Sequence, residues 1–471
     1  MTLRRSIRLG LLLAACAGAA AAGYGGYVLS RIGPVGTAYA AKTLCSGVFV
    51  SGRPPEDVIR EDILADNHPL LKAVWPSVDR DRRVASATFL GLMGREARFH
   101  PGLGCMLVIG TPASVLDDPL PPDPSVAAAE SDDDIAPGAL DPSLDATKLR
   151  SAVDAAFSEP DPKHLRRTRA VVVLYRGRIA AERYAPGFSA AMPLLGWSMT
   201  KSVTAVLIGT LVRDGKLSIE RTRLVPEWTG AGDGRARITL DQLLRMVSGL
   251  RFRESHGDPL EDVARMLFTR ADAAAYAIDK PLEFAPGTHW SYSSGTSNIL
   301  SRVIQLALGG SERDYLLYPR RALFDRIGMR SAVIEADASG RFLASSYMYA
   351  SARDWARFGE LLLQDGVWRG QRILPEGWVR YMATLTPQSP RKDFGAHLWV
   401  KVPPPFDSAV KPGPRLPPDA FHVVGHEGQF VSVIPSRQLV VVRLGLSRGQ
   451  HVWDHNAFLA RLLEAFPAGP D

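Results

Sequence analysis

A serine and a lysine stand three residues apart at the head of an apolar run, in Gly196-Trp197-Ser198-Met199-Thr200-Lys201-Ser202-Val203. A serine hydroxyl is a weak nucleophile until a neighbouring base takes its proton. On a helix, positions i and i+3 share a face with Cβ atoms roughly 5–6 Å apart, within reach of a lysine amine. Met199 to Leu211 is predominantly apolar, so Lys201 is expected to be buried, and burial lowers a lysine pKa toward that of a usable base. Ser198 would open the helix, where free N–H groups favour developing negative charge. The spacing recurs at Ser389-Pro390-Arg391-Lys392 and Ser408-Ala409-Val410-Lys411. There a proline follows the first serine and a proline-rich loop holds the second, so both fit a helix-capping serine beside a solvated lysine. Gly196-Trp197-Ser198-Met199-Thr200 fails G-x-S-x-G at its last position, which excludes a nucleophile elbow.

Two further stretches could complete a site. Pro286-Gly287-Thr288-His289-Trp290-Ser291-Tyr292-Ser293-Ser294-Gly295 is a Pro-Gly loop leading into Tyr292, and a tyrosine hydroxyl held near an ammonium has a lowered pKa and can pass protons. Gly425-His426-Glu427-Gly428-Gln429 precedes a strand-like run. Gly428 is expected to let a ligand approach the backbone, and the N–H of Gln429 could join that of Ser198 around an oxyanion. No metal-ligand spacing appears.

The elements that must position these residues follow from periodicity. Ala170–Tyr175 and Arg178–Tyr184 flank Arg176-Gly177 as a hairpin, and Gln429–Ile434 and Leu439–Leu446 form another. Between them lie helical patterns at Ser198–Arg213, Leu240–Val247, Leu260–Phe268, Thr296–Leu308 and Ser351–Leu363, with a last helix from Trp453 to Phe466. Strands at both ends and helices between predict an α+β domain over 146–471: an antiparallel sheet flanked by helices, with a mostly helical inserted lobe. Upstream, 43–110 reads as a small accessory module with strands at Val48–Val50 and Met106–Ile109 and a helix over Pro55–Leu64. Residues 111–145 are rich in proline and aspartate and read as a linker.

The 471 residues are 46% hydrophobic and 22% charged, a globular composition. The net charge of +7 is spread without a basic stripe, so no nucleic-acid partner is expected. Residues 1–31 form an anchor or signal segment, with Arg4, Arg5 and Arg8 ahead of the 21 uncharged residues Leu9–Leu29. Three readings stand: a membrane anchor with the rest in the periplasm, a cleaved signal peptide, or a lipoprotein signal at Cys16. All three imply export. Cys45 and Cys105 are then a disulfide candidate, with two separately buried thiols as the alternative.

The order S-x-x-K, then Y-x-S in a Pro-Gly loop, then H-x-G before a late strand resembles the serine β-lactamase/penicillin-binding-protein superfamily. The likeness is to its class C β-lactamase-related branch, and most to 6-aminohexanoate-dimer hydrolases and similar amidases and esterases. The resemblance implies a β-lactamase/transpeptidase-like fold and no cofactor, with Ser198 as acyl-enzyme nucleophile, Lys201 as its proton acceptor and Tyr292 as general acid or base. Ser294 would take the place of the usual Asn of Y-x-N, and His426-Glu427-Gly428 that of K-T-G, with the N–H groups of Ser198 and Gln429 as oxyanion hole. His426 replaces a fixed cation by a group mostly neutral at pH 7, which points away from β-lactams and toward a linear amide or ester. A non-catalytic cell-envelope binding or sensor protein on the same scaffold is the alternative.

Overall fold

The structure, a computed structural model, describes residues 2–110, 135, 139–255, 258–309, 311–404, 406, 416–449 and 451–467. One long helix, α1 (Thr2–Cys45), runs past residue 31 without a break. Among the described residues no helix is long and apolar enough to cross a membrane; several side chains of the Leu9–Leu29 run lie outside the described residues. The C-terminal third of α1 is buried through Val35, Ala38, Ala41 and Leu44, and Cys45 at its end is bonded to Cys105.

Val48–Val50 is not the expected strand but part of a π-helical turn, Ser46–Val50. Packing overrides β-propensity here. Gly47 lies so close to Val58 that a Cβ would come within 2.7 Å of its methyls, and Ser46 turns inward to donate to Glu335. Then α2 (Pro55–Asp57) continues into a second π-helical stretch, Val58–Leu64. Strands β1 (Val74–Asp79), β2 (Val84–Phe89), β3 (Leu92–His100) and β4 (Gly104–Leu107) form an antiparallel meander. Most of the linker expected at 111–145 lies outside the described residues.

Beyond it come α3 (Ala146–Ala156), capped by the Asp145 carboxylate, and the hairpin β5 (Thr168–Tyr175) and β6 (Arg178–Tyr184). Arg176 and Gly177 both have positive φ, 51° and 76°, as a two-residue I′ turn requires. The inserted lobe follows, beginning with β7 (Leu194–Leu195), α4 (Met199–Arg213), α5 (Leu240–Leu244) and α6 (Asp262–Thr269). It continues through α7 (Ala273–Ile278), α8 (Ser294–Leu308) and α9 (Glu312–Pro319). Strands β8 (Val333–Ile334) and β9 (Met348–Ala350) precede α10 (Ala352–Leu363), the short hairpin β10 (Val367–Trp368) and β11 (Gln371–Arg372), and α11 (Trp378–Ala383). The chain closes with β12 (Phe421–Gly425), β13 (Gln429–Ile434), β14 (Leu439–Gly445) and α12 (His455–Leu463).

The main sheet has the order β12-β13-β14-β5-β6, all antiparallel. Pairing of the last strand with the first hairpin closes the domain on itself and ejects the residues between as the helical lobe. Helix α10 lies on one face, so close that a Cβ on Gly359 would sit 2.4 Å from Val440. The other face is covered by α3 and α12, with Leu149, Val153, Leu459 and Leu462 against Val171 and Val173. Covered on both sides, β5 and β14 are buried along their whole length, which is why their sequences are almost continuously apolar.

The N-terminal module shares one hydrophobic core with the domain that follows it. It is also fastened by a buried ion pair, Lys42 with Glu335, whose side chains are 1% and 0% exposed. Glu335 accepts in addition from Ser46 Oγ at 2.8 Å and from the Cys105 N–H at 2.7 Å, so one carboxylate gathers α1, β4 and the segment before β9. Removing one partner of such a pair leaves an uncompensated buried charge, at a cost of about 3–5 kcal/mol. Lys42→Met is therefore expected to lower the stability measured by urea unfolding by that amount. Lys42→Met/Glu335→Leu should recover part of the loss, and a double variant weaker than the sum of both singles contradicts this account.

Candidate active site

Ser198 occupies the cap position of α4, and its side chain makes no capping bond. Its Oγ instead accepts from Lys201 Nζ at 3.0 Å. Lys201 is 2% exposed, and its Nζ also donates to Ser294 Oγ at 3.0 Å and to the Ser345 carbonyl at 2.9 Å. Ser294 Oγ donates in turn to Glu254 Oε1 at 2.8 Å, so it can only accept from Lys201. Asn298, one turn on from Ser294 along α8, steadies Ser345 by donating to its hydroxyl at 3.0 Å. The proton count follows: a neutral lysine has two N–H groups, which Ser294 and Ser345 take, and its lone pair then faces the Ser198 hydroxyl. Burial lowers the Lys201 pKa to about 8, against the opposing pull of the Glu254 carboxylate.

Tyr292 faces the Ser198 hydroxyl, and its ring centroid lies 4.9 Å from Lys201 Nζ. The expected lowering of its pKa is not found. Burial, reinforced by the negative charge of Glu254, pushes it well up, and the Ser198 hydroxyl offsets only part. The reason lies in the packing: Phe394 and Trp399 stand against the ring with centroids 6.1 and 5.9 Å away. Tyr292 thus keeps its proton at neutral pH and can give it up only to a strong base formed during reaction.

The His-x-Gly stretch differs from expectation at Gly428. The space where a Cβ would sit is filled by the Arg443 guanidinium, 2.4 Å away, and Arg443 donates to the Gly428 carbonyl at 2.7 Å. Gly428 makes room for a buried arginine and not for a ligand. The close approach belongs to Gly425, whose Cβ would come within 2.1 Å of the Gly196 carbonyl, so β12 ends in backbone contact with the turn before Ser198. His426 lines the cleft beside Ser198 and meets the Trp197 ring edge-on at 5.7 Å. The Gln429 side chain is held by the Gly445 main chain, donating at 2.7 Å and accepting at 3.0 Å, so any role in the cleft falls to its main-chain N–H.

Glu254 has no foreshadowing in the sequence; it sits in a charged loop and joins the site only through space. The brace around Glu427 is likewise unforeseen. Trp197 and Glu427 both hold positive φ, 48° and 62°, conformations that cost about 1–3 kcal/mol for such residues. Each holds the other: Trp197 Nε1 donates to Glu427 Oε2 at 2.9 Å. Arg448 donates to Glu427 Oε1 and to the carbonyls of Asp62 and Ala65, all at 2.6 Å. The N-terminal module thereby supports the turn that aims Ser198. Ser389, by contrast, donates to Asp393 at 2.8 Å and Lys392 turns to the Pro387 carbonyl, and Ser408–Lys411 lies outside the described residues. Among the described residues no cluster of His, Cys, Asp or Glu is placed to hold a metal ion.

A five-stranded antiparallel sheet with an inserted helical lobe, and a Ser–Lys–Tyr cluster between them, define the serine β-lactamase/penicillin-binding-protein class. Residues 153–462 match the beta-lactamase family, and the chain belongs to it. It is similar to 6-aminohexanoate-dimer hydrolase of Paenarthrobacter ureafaciens, at 29% identity over 45% of this chain and 56% of that protein. The chain spans about half the length of the curated relatives it matches. Its fold is similar to that of a family VIII carboxylesterase, with a TM-score of 0.51 and 19% identity over 70% of this chain and 98% of the other. It is also similar to the octameric penicillin-binding protein homologue from Pyrococcus abyssi, with a TM-score of 0.52 and 17% identity over 68% and 77%.

If neutral Lys201 is the reactive form, kcat/KM rises with pH through an apparent pKa near 8 and not near the ordinary lysine value of 10.5. Glu254 favours the ammonium, so Glu254→Gln is expected to move that limb to lower pH. A limb that stays or moves upward in the pH–rate profile of the variant contradicts the assignment.

Proposed function

We propose that this chain is a serine hydrolase that cleaves a linear amide or ester bond through an acyl-enzyme on Ser198. The observation that carries the proposal is the 3.0 Å contact of Ser198 Oγ with the buried Lys201 Nζ, with Tyr292 facing the same hydroxyl. Ser198 attacks the carbonyl carbon as its proton passes to Lys201, and the N–H groups of Ser198 and Gln429 face the resulting oxyanion. Collapse expels the leaving group, which takes a proton from Tyr292 while Lys201 returns one to the phenolate. Water then attacks the acyl-enzyme, its proton passes to Lys201, and Ser198 leaves reprotonated.

Amide or ester chemistry is supported by the relatives named 6-aminohexanoate-dimer hydrolase and Esterase EstB. His426 in place of a lysine, and a cleft that no Lys or Arg lines among the described residues, favour an uncharged substrate over one with the carboxylate of a β-lactam. We further infer export. The arginine-led N-terminal run and the Cys45–Cys105 disulfide support it, since disulfides persist in oxidising compartments.

A fluorophosphonate is expected to label Ser198, and Ser198→Ala should lose labelling and at least about 10⁴-fold in kcat. Lys201→Ala should lose about 10²–10⁴-fold. Full labelling of Ser198→Ala would sink the assignment. A membrane-impermeant phosphonate added to intact cells tests export in the same experiment: labelling without lysis is expected, and labelling only after lysis contradicts it.

A further inference from the structure

Ser198, Ser294 and Glu254 open into a cavity of about 270 Å³ whose walls are largely apolar. One wall is a single face of α1, carrying Leu29, Ile32, Gly36 and Tyr39 at the three- and four-residue steps of a helical stripe. The facing wall is a stripe of α6, with Val263 and Leu267. The two helices touch where the rings of Tyr39 and Phe268 meet edge-on at 5.7 Å. Leu71, Val74 and Phe89 from the N-terminal module line the same space, and all three are buried. A cavity continuous with a nucleophile is occupied by its substrate, and a mostly apolar lining with a few convergent polar groups sets which part of the substrate it receives.

We propose that this cavity binds the unbranched hydrocarbon acyl chain of the substrate, and that the N-terminal module acts as the specificity wall of the enzyme. The proposal rests on the hydrolase reading above and deepens it. No Lys or Arg faces the cavity among the described residues, and Glu254 and Asp258 lie on its lining, so an anionic chain is disfavoured. The α1 wall and the β1–β4 meander both lie outside the residues that match the family, 153–462. One wall of the cavity is thus supplied by the segment ahead of the family-matched residues, and the facing wall, α6, by the matched residues themselves.

The test is the chain-length dependence of kcat/KM on p-nitrophenyl esters from acetate to octanoate, with the full-length protein. Transfer of a methylene out of water predicts a rise of about three- to fourfold per added CH₂. Two substitutions fill the cavity from opposite walls. At Gly36 a Cβ would stand 3.7 Å from Leu71 and 3.9 Å from Val74, ordinary contacts that leave further bulk to the cavity. Gly36→Leu, and Ala264→Phe on α6, are each expected to cut the octanoate-to-acetate ratio of kcat/KM by roughly tenfold or more. A flat or falling series with Ser198-dependent acetate hydrolysis overturns the acyl-chain proposal and leaves the hydrolase reading in place. So does an unchanged slope in both variants. Absence of Ser198-dependent turnover of every ester overturns both.

Discussion

A lysine amine enclosed at the meeting of two lobes is the constraint on which the rest of the site depends. Removing an ammonium from water disfavours its charged form, and Lys201 is buried on a helix wedged between the main sheet and α8. Burial alone would leave it a lysine of lowered pKa with no direction. The hydroxyl of Ser294 and the carbonyl of Ser345 supply that by consuming two donors, and Glu254 fixes the direction in which Ser294 accepts. Behind the short Ser294 side chain stands the Glu254 carboxylate.

The chemistry and the cleft come from different parts of the chain. Ser198, Lys201 and Tyr292 lie within the family-matched residues, while much of the wall facing Ser198 is α1 and the small meander. The join is tight for several physical reasons at once: a shared core, the buried pair of Lys42 and Glu335, and paired charges where Arg169 meets Asp62 at 2.8 Å. Arg448 adds a direct link from that module to the strained Trp197–Glu427 pair beside Ser198. The N-terminal segment is therefore part of the site and not an appendage to it.

What could be read from the sequence was what depends on local spacing. The i,i+3 pair on an apolar helix, the two hairpins and the α+β lobe order all have short-range signatures, and each is found where it was expected. Residues whose roles arise through space were not readable. Glu254 looks like any charge in a polar loop, and the Ser345 contribution is a main-chain carbonyl with no side-chain signature. Gly428 reads as a point of ligand approach because a glycine reports only that something is close, and that something is Arg443. The sign of the Tyr292 shift turned on aromatic neighbours more than a hundred residues away, Phe394 and Trp399. Val48–Val50 has strand-like residues, yet the disulfide at Cys45 and the contact of Gly47 with Val58 hold it helical.

The central claim is that Ser198 becomes acylated during turnover, and it is tested most directly by acid-quenching the reaction with p-nitrophenyl acetate in the steady state and mapping the modified protein by mass spectrometry. The account predicts one acetyl group per chain, carried on the peptide that holds Ser198. An adduct on another residue such as Ser294, or undiminished turnover by Ser198→Ala, contradicts it.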